Sequence, residues 1–355
     1  MAVRIHPQDV LKALAAVKDV NHERDIVSLG FVRDLEVGDN RVTFTLQLPD
    51  PANPASGPLM RSAEEAVRGL GVRDVQVRLA ARPSPAARPQ ASLIPQVKST
   101  VAVASGKGGV GKSTVAVNLA VALHRHGAKV GLMDTDVYGP SVPHLMGSQQ
   151  GPVVVEGKLA PPEEAGIKII SMGYFLPQDE AVIWRGPMLH KTIHQFLGDV
   201  RWGELDYLIM DLPPGTGDIQ LSLSQTIPLT GAVIVSTPQD VALNVASKAI
   251  AMFQKLNVPI LGIVENMSYH VCSHCGQRED IFGHGGARAA AAKMKFPFLG
   301  EIPLDIHIRT ESDSGRPVAL DDSTAYGKAF HEVARELMKQ VKFAQAEAEQ
   351  EIHIE

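Results

Sequence analysis

The segment from Gly106 to Thr114 reads Gly-Lys-Gly-Gly-Val-Gly-Lys-Ser-Thr, a run whose residue types suit one task, wrapping a phosphate. Glycines let the backbone turn its N–H groups inward, some at positive φ, and a helix starting directly afterwards adds a favourable dipole. An apolar run, Thr100 to Ser105, precedes the loop, and a helical pattern through Val117, Leu119, Ala120 and Leu123 follows it. This strand-loop-helix context is what the P-loop pattern requires. Gly106, Gly108, Gly109, Val110, Gly111, Lys112, Ser113 and Thr114 are therefore expected to cradle a nucleoside triphosphate. Lys112 is expected on the β- and γ-phosphates and the Ser113 hydroxyl on Mg²⁺.

Other chemistry-bearing residues stand at the ends of apolar runs. Asp134 and Asp136 close Leu-Met-Asp-Thr-Asp, and Asp211 closes Tyr-Leu-Ile-Met-Asp, a Walker B pattern. Asp211 is expected in the magnesium shell, and the Pro/Gly-rich stretch after it, Leu212 to Asp218, reads as a switch that senses the γ-phosphate. Asp134 and Asp136 are candidates for magnesium and for the attacking water, with capping of the following turn as the structural alternative. Cys272 and Cys275 are the two cysteines of the chain and offer two soft ligands from one turn. A tetrahedral zinc or a cubane cluster needs about four such ligands, so one chain is short of a complete site. A zinc drawing on His270, His274 or His284, a redox dithiol and two unligated thiols stay open at this point.

Positioning these groups requires a sheet whose strands all end at one edge. Short, almost wholly apolar runs recur from residue 99 onward, TVAVAS, KVGLMD, IKIISM, YLIMD, AVIVS, ILGIVEN and FLGEIP, separated by helix-length segments. Such runs predict a mainly parallel sheet with helices on both faces, an α/β fold of the P-loop NTPase class. A small α+β domain precedes it over 1–80: a helix with Val10, Leu11, Leu14 and Val17 on its apolar face, a hairpin of Phe31–Val37 and Arg41–Leu48 around Gly38-Asp39-Asn40, a helix near Pro58–Leu70, and a strand with Val75, Val77 and Leu79. Residues 81–97, rich in Pro, Ala and Arg, read as a linker, 98–343 as the nucleotide domain, and 344–355 as an acidic tail that frays.

Lys107 is a second lysine in a loop that already has one. With it the sequence resembles the deviant Walker A ATPases, the group of nitrogenase iron protein, MinD and ParA. That resemblance implies that Lys107 reaches the ATP of the other subunit, hence a nucleotide-bridged homodimer and a catalytic role for Lys107 beside Lys112. It also implies a water-orienting Asp136, an outer-shell magnesium role for Asp134, and an adenine contact from Asn266. In a two-fold dimer the two Cys-x-x-Cys turns can face each other and supply four thiolates.

Glu265-Asn266-Met267-Ser268, Cys272-Ser273-His274-Cys275-Gly276 and Ile281-Phe282-Gly283-His284-Gly285-Gly286 carry a closer resemblance, to the Mrp/ApbC iron-sulfur carrier ATPases. Trp184-Arg185-Gly186-Pro187, the runs from Asp136 and Asp211, and Ile302-Pro303-Leu304-Asp305 add to it. The family implies a homodimer that binds a [4Fe-4S] cluster, receives it from a cluster donor and passes it to apo iron-sulfur proteins, with ATP regulating transfer. Asp25 to Val37 resembles the small assembly domain that precedes such ATPases. There the family commonly has a cysteine after the second hairpin strand, whereas this chain has Asn53, which leaves that domain a docking or regulatory role.

The chain of 355 residues balances 34 Lys and Arg against 39 Asp and Glu, a net charge of -5 that argues against a broad nucleic-acid footprint. The N-terminus lacks a secretory or transit pattern and no apolar run reaches the ~18 residues of a membrane span, so the expected setting is cytoplasmic, with no membrane partner. A MinD- or ParA-type positioning ATPase with a structural zinc at the cysteine pair is the alternative. It would call for a basic amphipathic tail, and the tail here is acidic.

Overall fold

The computed structural model describes residues 6–19, 24–28, 31–38, 40–48, 56–81, 93–176, 186–215, 220, 224 and 227–352. The chain divides into two compact units, Met1–Gln90 and Ala91–Glu355. The predicted loop residues Asp39, Asn53, Trp184, Arg185, Thr216, Gly217 and Asp218 lie outside the described residues.

In the first unit, helix α1 (Pro7–Leu14) is followed by strands β1 (Val32–Val37) and β2 (Arg41–Leu48), helix α2 (Ser56–Arg68) and strand β3 (Asp74–Ala81). Strand β2 is central, antiparallel to β1 and parallel to β3. Its alternation places Val42, Phe44, Leu46 and Leu48 inward, against Val10 and Leu14 of α1 and Leu59, Ala63 and Val67 of α2. Leu11, expected on the apolar face, is 36% exposed. With only two turns, α1 has a face wide enough for Val10 and Leu14, and Val17 joins the core from beyond the helix end.

The second unit is an α/β domain of the P-loop NTPase class. Besides a small hairpin of Val153–Val155 with Lys158–Ala160, its strands are β4 (Val97–Ser105), β5 (Val130–Asp134), β6 (Glu163–Glu164), β7 (Ile167–Ser171), β8 (Leu205–Asp211), β9 (Gly231–Ser236), β10 (Ile260–Glu265), and, after the short pair β11 (His270–Val271) and β12 (Arg278–Glu279), β13 (Phe298–Glu301). The main sheet runs β6-β7-β5-β8-β4-β9-β10-β13. Every pairing in it is parallel except that of β6 with β7. The seven apolar runs thus become the seven parallel strands, and the antiparallel edge is added by two glutamates that no hydrophobic pattern marks.

Helices α3 (Lys112–Arg125) and α9 (Ala325–Ile352) cover one face. Val101, Val103, Ile209, Val233 and Val235 meet Val115, Leu119 and Leu123 there, with Phe330, Val333 and Leu337. Helices α5 (Gly186–Gly198), α6 (Asp240–Lys255) and α7 (Gly286–Met294) cover the other, where Ala102, Ala104, Leu208, Met210 and Ile234 meet Ile193, Phe196, Ile250, Phe253 and Ala291. Successive residues of one strand enter opposite layers, so both must be apolar, and each large one buried contributes about 1.5–3 kcal/mol. Two short helices, α4 (Val142–Leu145) and α8 (Ile306–Asp313), complete the unit. The acidic segment expected to fray continues α9 to Ile352, because its Ala, Glu and Gln are strong helix formers. Among the described residues no helix is long and apolar enough to cross a membrane.

Candidate functional site

Parallel strands bring their C-terminal ends to one edge, where ligands bind in open α/β sheets. Along it Ser171 of β7 pairs with Asp134 of β5, and Asp134 with Asp211 of β8. The phosphate loop leaves β4 in the next row. Gly109 and Gly111 adopt φ of 79° and 78°, and Gly111 is the N-cap of α3. A Cβ on Gly111 would collide with the Asn266 amide as well as forcing the left-handed backbone. Gly111→Ala is therefore expected to weaken nucleotide binding by at least about tenfold and to cost about 1–2 kcal/mol of stability, measurable by fluorescent-nucleotide titration and thermal melting.

Lys112 is 6% exposed, and its Nζ lies 2.6 Å from Asp211 Oδ1, 3.2 Å from Ser113 Oγ and 3.8 Å from Asp136 Oδ2. Ser113 Oγ donates to Asp211 Oδ2 at 2.5 Å. Burial pushes the Asp211 carboxyl up from the usual range, and the Lys112 ammonium pulls against it. The structure thus brings together Lys112, Ser113, Asp136 and Asp211 in a largely buried cluster, and the donor set of hydroxyl and carboxylates suits a hard divalent cation such as Mg²⁺.

Asp134 has a different setting. It is fully buried, and it accepts from the Asp136 and Val142 N–H groups at 3.0 and 3.2 Å and from Ser171 Oγ at 2.9 Å. Burial first, and the Asp211 charge second, push its carboxyl up to about 7. These bonds shape the loop that presents Asp136, whose Oδ1 in turn accepts from Tyr138 and Gly139 N–H. Ser171 and Thr135, whose hydroxyl donates to the Asp211 carbonyl at 2.9 Å, escaped the sequence reading. Their only signal was position at or just past a strand end.

Lys107 is half-buried, and its ammonium has no hydrogen bond or ion pair among the described residues. Its carbonyl accepts from Ser105 Oγ at 2.9 Å, and Gly215 N–H donates to the Ser105 carbonyl at 3.0 Å, tying the start of the Pro/Gly-rich loop to the phosphate loop. Asn266 is buried and donates from Nδ2 to the Val110 carbonyl at 2.8 Å. It braces the phosphate loop directly, a role the sequence reading missed.

The cysteines sit at the tip of the β11–β12 hairpin. Cys272 N–H donates to the Gln277 carbonyl and Gly276 N–H to the Cys272 carbonyl, both at 2.9 Å, with Gly276 at φ 70°. N–H groups of Cys275 and His274 directed at the Cys272 sulfur, with the Cys275 thiol, lower its pKa, favouring the thiolate that binds metal. Cys275 is exposed, and Val271, Ile281 and Phe282 stand exposed around the turn. His270 Nδ1 lies 3.0 Å from the Leu304 carbonyl and His284 Nδ1 2.6 Å from Arg278. Among the described residues the one cluster of three ligands close enough to share an ion is Glu265, His284 and Glu301, which includes neither cysteine. Arg278 and Arg288 already neutralise Glu301.

Comparison with known proteins identifies the family and the fold. Residues 96–338 match the family described as NUBPL iron-transfer P-loop NTPase, and residues 7–79 match one described as iron-sulfur cluster assembly protein. The iron-sulfur cluster carrier protein of Deinococcus radiodurans is 49% identical over 336 residues, covering 94% of this chain and 95% of the relative. That of Synechocystis is 44% identical over 344 residues, covering 94% and 98%. Among solved structures, an ADP-bound nucleotide-binding protein from Archaeoglobus fulgidus superposes with a TM-score of 0.57 at 45% identity, over 62% of this chain and 88% of that one. The MinD cell division ATPase of Pyrococcus furiosus gives 0.53 at 25%, over 68% and 99%. A phosphate loop with a second lysine, a paired-thiol hairpin and these matches along nearly the whole chain place the protein in the Mrp/ApbC family of iron-sulfur carrier P-loop NTPases.

Proposed function

We propose that the protein is an ATP-dependent iron-sulfur cluster carrier that works as a homodimer, holding a [4Fe-4S] cargo between two Cys-x-x-Cys turns and releasing it to apo iron-sulfur proteins. The observation that carries this reading is the exposed hairpin of Cys272 and Cys275, whose two thiols are half of what a cubane requires and have no further cysteine in the chain to join them. Lys107, an ammonium in the phosphate loop with no hydrogen bond or ion pair among the described residues, supports a contact with the nucleotide of a second copy. In this reading Lys112 and the backbone of 106–114 hold the ATP phosphates, and Ser113 and Asp211 hold Mg²⁺. Asp136 orients the attacking water, while Asp134 fixes its loop. Hydrolysis is slow, as befits a switch, and the assembly-like first unit docks a cluster donor or recipient. A positioning ATPase would share the fold but leave the thiol hairpin only a structural zinc, and among the described residues no close cluster of three metal ligands includes either cysteine.

Anaerobic reconstitution of the full chain with iron and sulfide tests the reading. The expected product is brown, with about four iron and four sulfide per dimer, and restores activity to an apo iron-sulfur enzyme. Stoichiometric zinc in the protein as purified, with no iron retained after reconstitution, would overturn it.

A further inference from the structure

Residues 266–287 leave the sheet after β10 and return in α7, carrying the whole cysteine hairpin between them. Both limbs of this excursion are tied to one carboxylate. Glu265, the last residue of β10 and fully buried, accepts from the Ser268 hydroxyl at 2.6 Å where the excursion departs. Where it returns, the same side chain accepts from Gly285 N–H at 3.3 Å and Ala287 N–H at 2.6 Å, at the positive end of α7. The departing limb is also held against the neighbouring strand end, with Ser268 N–H on the Ile302 carbonyl at 2.9 Å and Leu304 N–H on the Tyr269 carbonyl at 2.7 Å.

The adjacent residue grips the phosphate loop. Asn266 Nδ2 bonds the Val110 carbonyl, and Gly111 lies so close that a Cβ there would strike the Asn266 amide and come within 3.7 Å of Met267 Cε. Two consecutive residues therefore join the two sites, Asn266 to the loop that receives nucleotide and Glu265 to the segment that holds the thiols.

We propose that Glu265 and Asn266 form the junction through which nucleotide at the phosphate loop resets the Cys272–Cys275 turn, with Glu265 as a positioning residue that makes the excursion move as one piece. The proposal rests on the reading that nucleotide regulates the thiol site. A shift of Val110 and Gly111 moves Asn266 because packed contacts of this kind transmit displacement rather than absorb it. With both limbs pinned next door, neither can bend to take up the movement, and it reaches the cysteines.

Thiol modification reads this directly, since the chain has no other cysteines. Full-length, metal-free protein is alkylated with iodoacetamide, with and without Mg²⁺ and a saturating non-hydrolysable ATP analogue. The wild-type rate is expected to change by about fivefold or more on adding the analogue. Glu265→Gln, which keeps the shape but loses the charge, is expected to reduce the response to less than about twofold while analogue affinity stays within about twofold of wild type. A wild-type rate indifferent to the analogue, or a full response in Glu265→Gln, overturns the junction. If Glu265→Gln shows no cooperative melt, Ser268→Ala decides. It frees the departing limb alone, so a reduced response supports the proposal and an undiminished one overturns it. Iron retained after reconstitution of an unalkylated portion of the same wild-type preparation separates the two ideas, because a preserved alkylation response without iron sinks the cluster reading and leaves the junction standing.

Discussion

Replacing Lys112 by methionine is expected to weaken ATP binding by about ten- to a hundredfold or more, through loss of a charge-assisted contact, and to reduce turnover to background. The same change acts on stability in a way that depends on pH. Lys112 Nζ and Asp211 Oδ1 lie 2.6 Å apart with 6% and 0% of their side chains exposed, so removing the ammonium strands a buried carboxylate. Breaking such a pair costs about 3–5 kcal/mol, unless the survivor takes a proton. Asp211 is prepared to do so, because burial already raises its pKa and Lys112 is the largest influence lowering it. In the variant the folded-state pKa stands still further above that of the unfolded chain. Its stability is therefore greatest below the unfolded value and is lost as pH rises toward the folded one. Urea unfolding at about pH 5.5 and about pH 8 checks the sign, with the larger deficit expected at the higher pH. A deficit independent of pH would mean that Asp211 does not carry the charge assigned to it.

Cys272→Ser is expected to abolish iron and sulfide retention while leaving the fold almost untouched. A serine hydroxyl stays protonated near neutrality and is a poor ligand for iron, so in the proposed dimer this variant would offer two thiolates in place of four. The side chain packs into no core, and its loss is expected to move stability by no more than about 0.5 kcal/mol. Iron analysis and visible absorbance after anaerobic reconstitution, read beside a thermal melt, separate a lost ligand from a lost fold. Equal iron in variant and wild type would remove the cysteines from the site.

The two substitutions differ in how their targets could be recognised. Val101 to Ala104 fill both layers of the sandwich and so form an uninterrupted apolar run, which marks a buried parallel strand without any knowledge of its neighbours. Glu163–Glu164 pairs at the edge with no apolar burial to announce it. The P-loop was legible because one short segment supplies all its backbone groups, and the cysteine pair because its spacing is local. Asp134 illustrates the opposite case. Its strand-end position suggested an outer-shell magnesium role, while its bonds to Asp136, Val142 and Ser171 became visible only in the fold. Glu265 stood inside a recognised run and still showed no role until Ser268, Gly285 and Ala287 converged on it.

By itself, then, the sequence determined which segments form the parallel strands, which loop has the residues to cradle phosphate and which atoms could bind a soft metal, since each depends on residues a few positions apart. Only the tertiary structure decided which of these meet. Lys112 reaches Asp211 across 99 positions and Asn266 reaches Val110 across 156, because β8 lies beside β4 and β10 lies one strand beyond β9. Local patterns carry helix and strand periodicity but no strand order. The order follows from packing the whole sheet between its two helical layers, and it is what sets Asn266, at the start of the segment that carries the cysteine hairpin, against the phosphate loop.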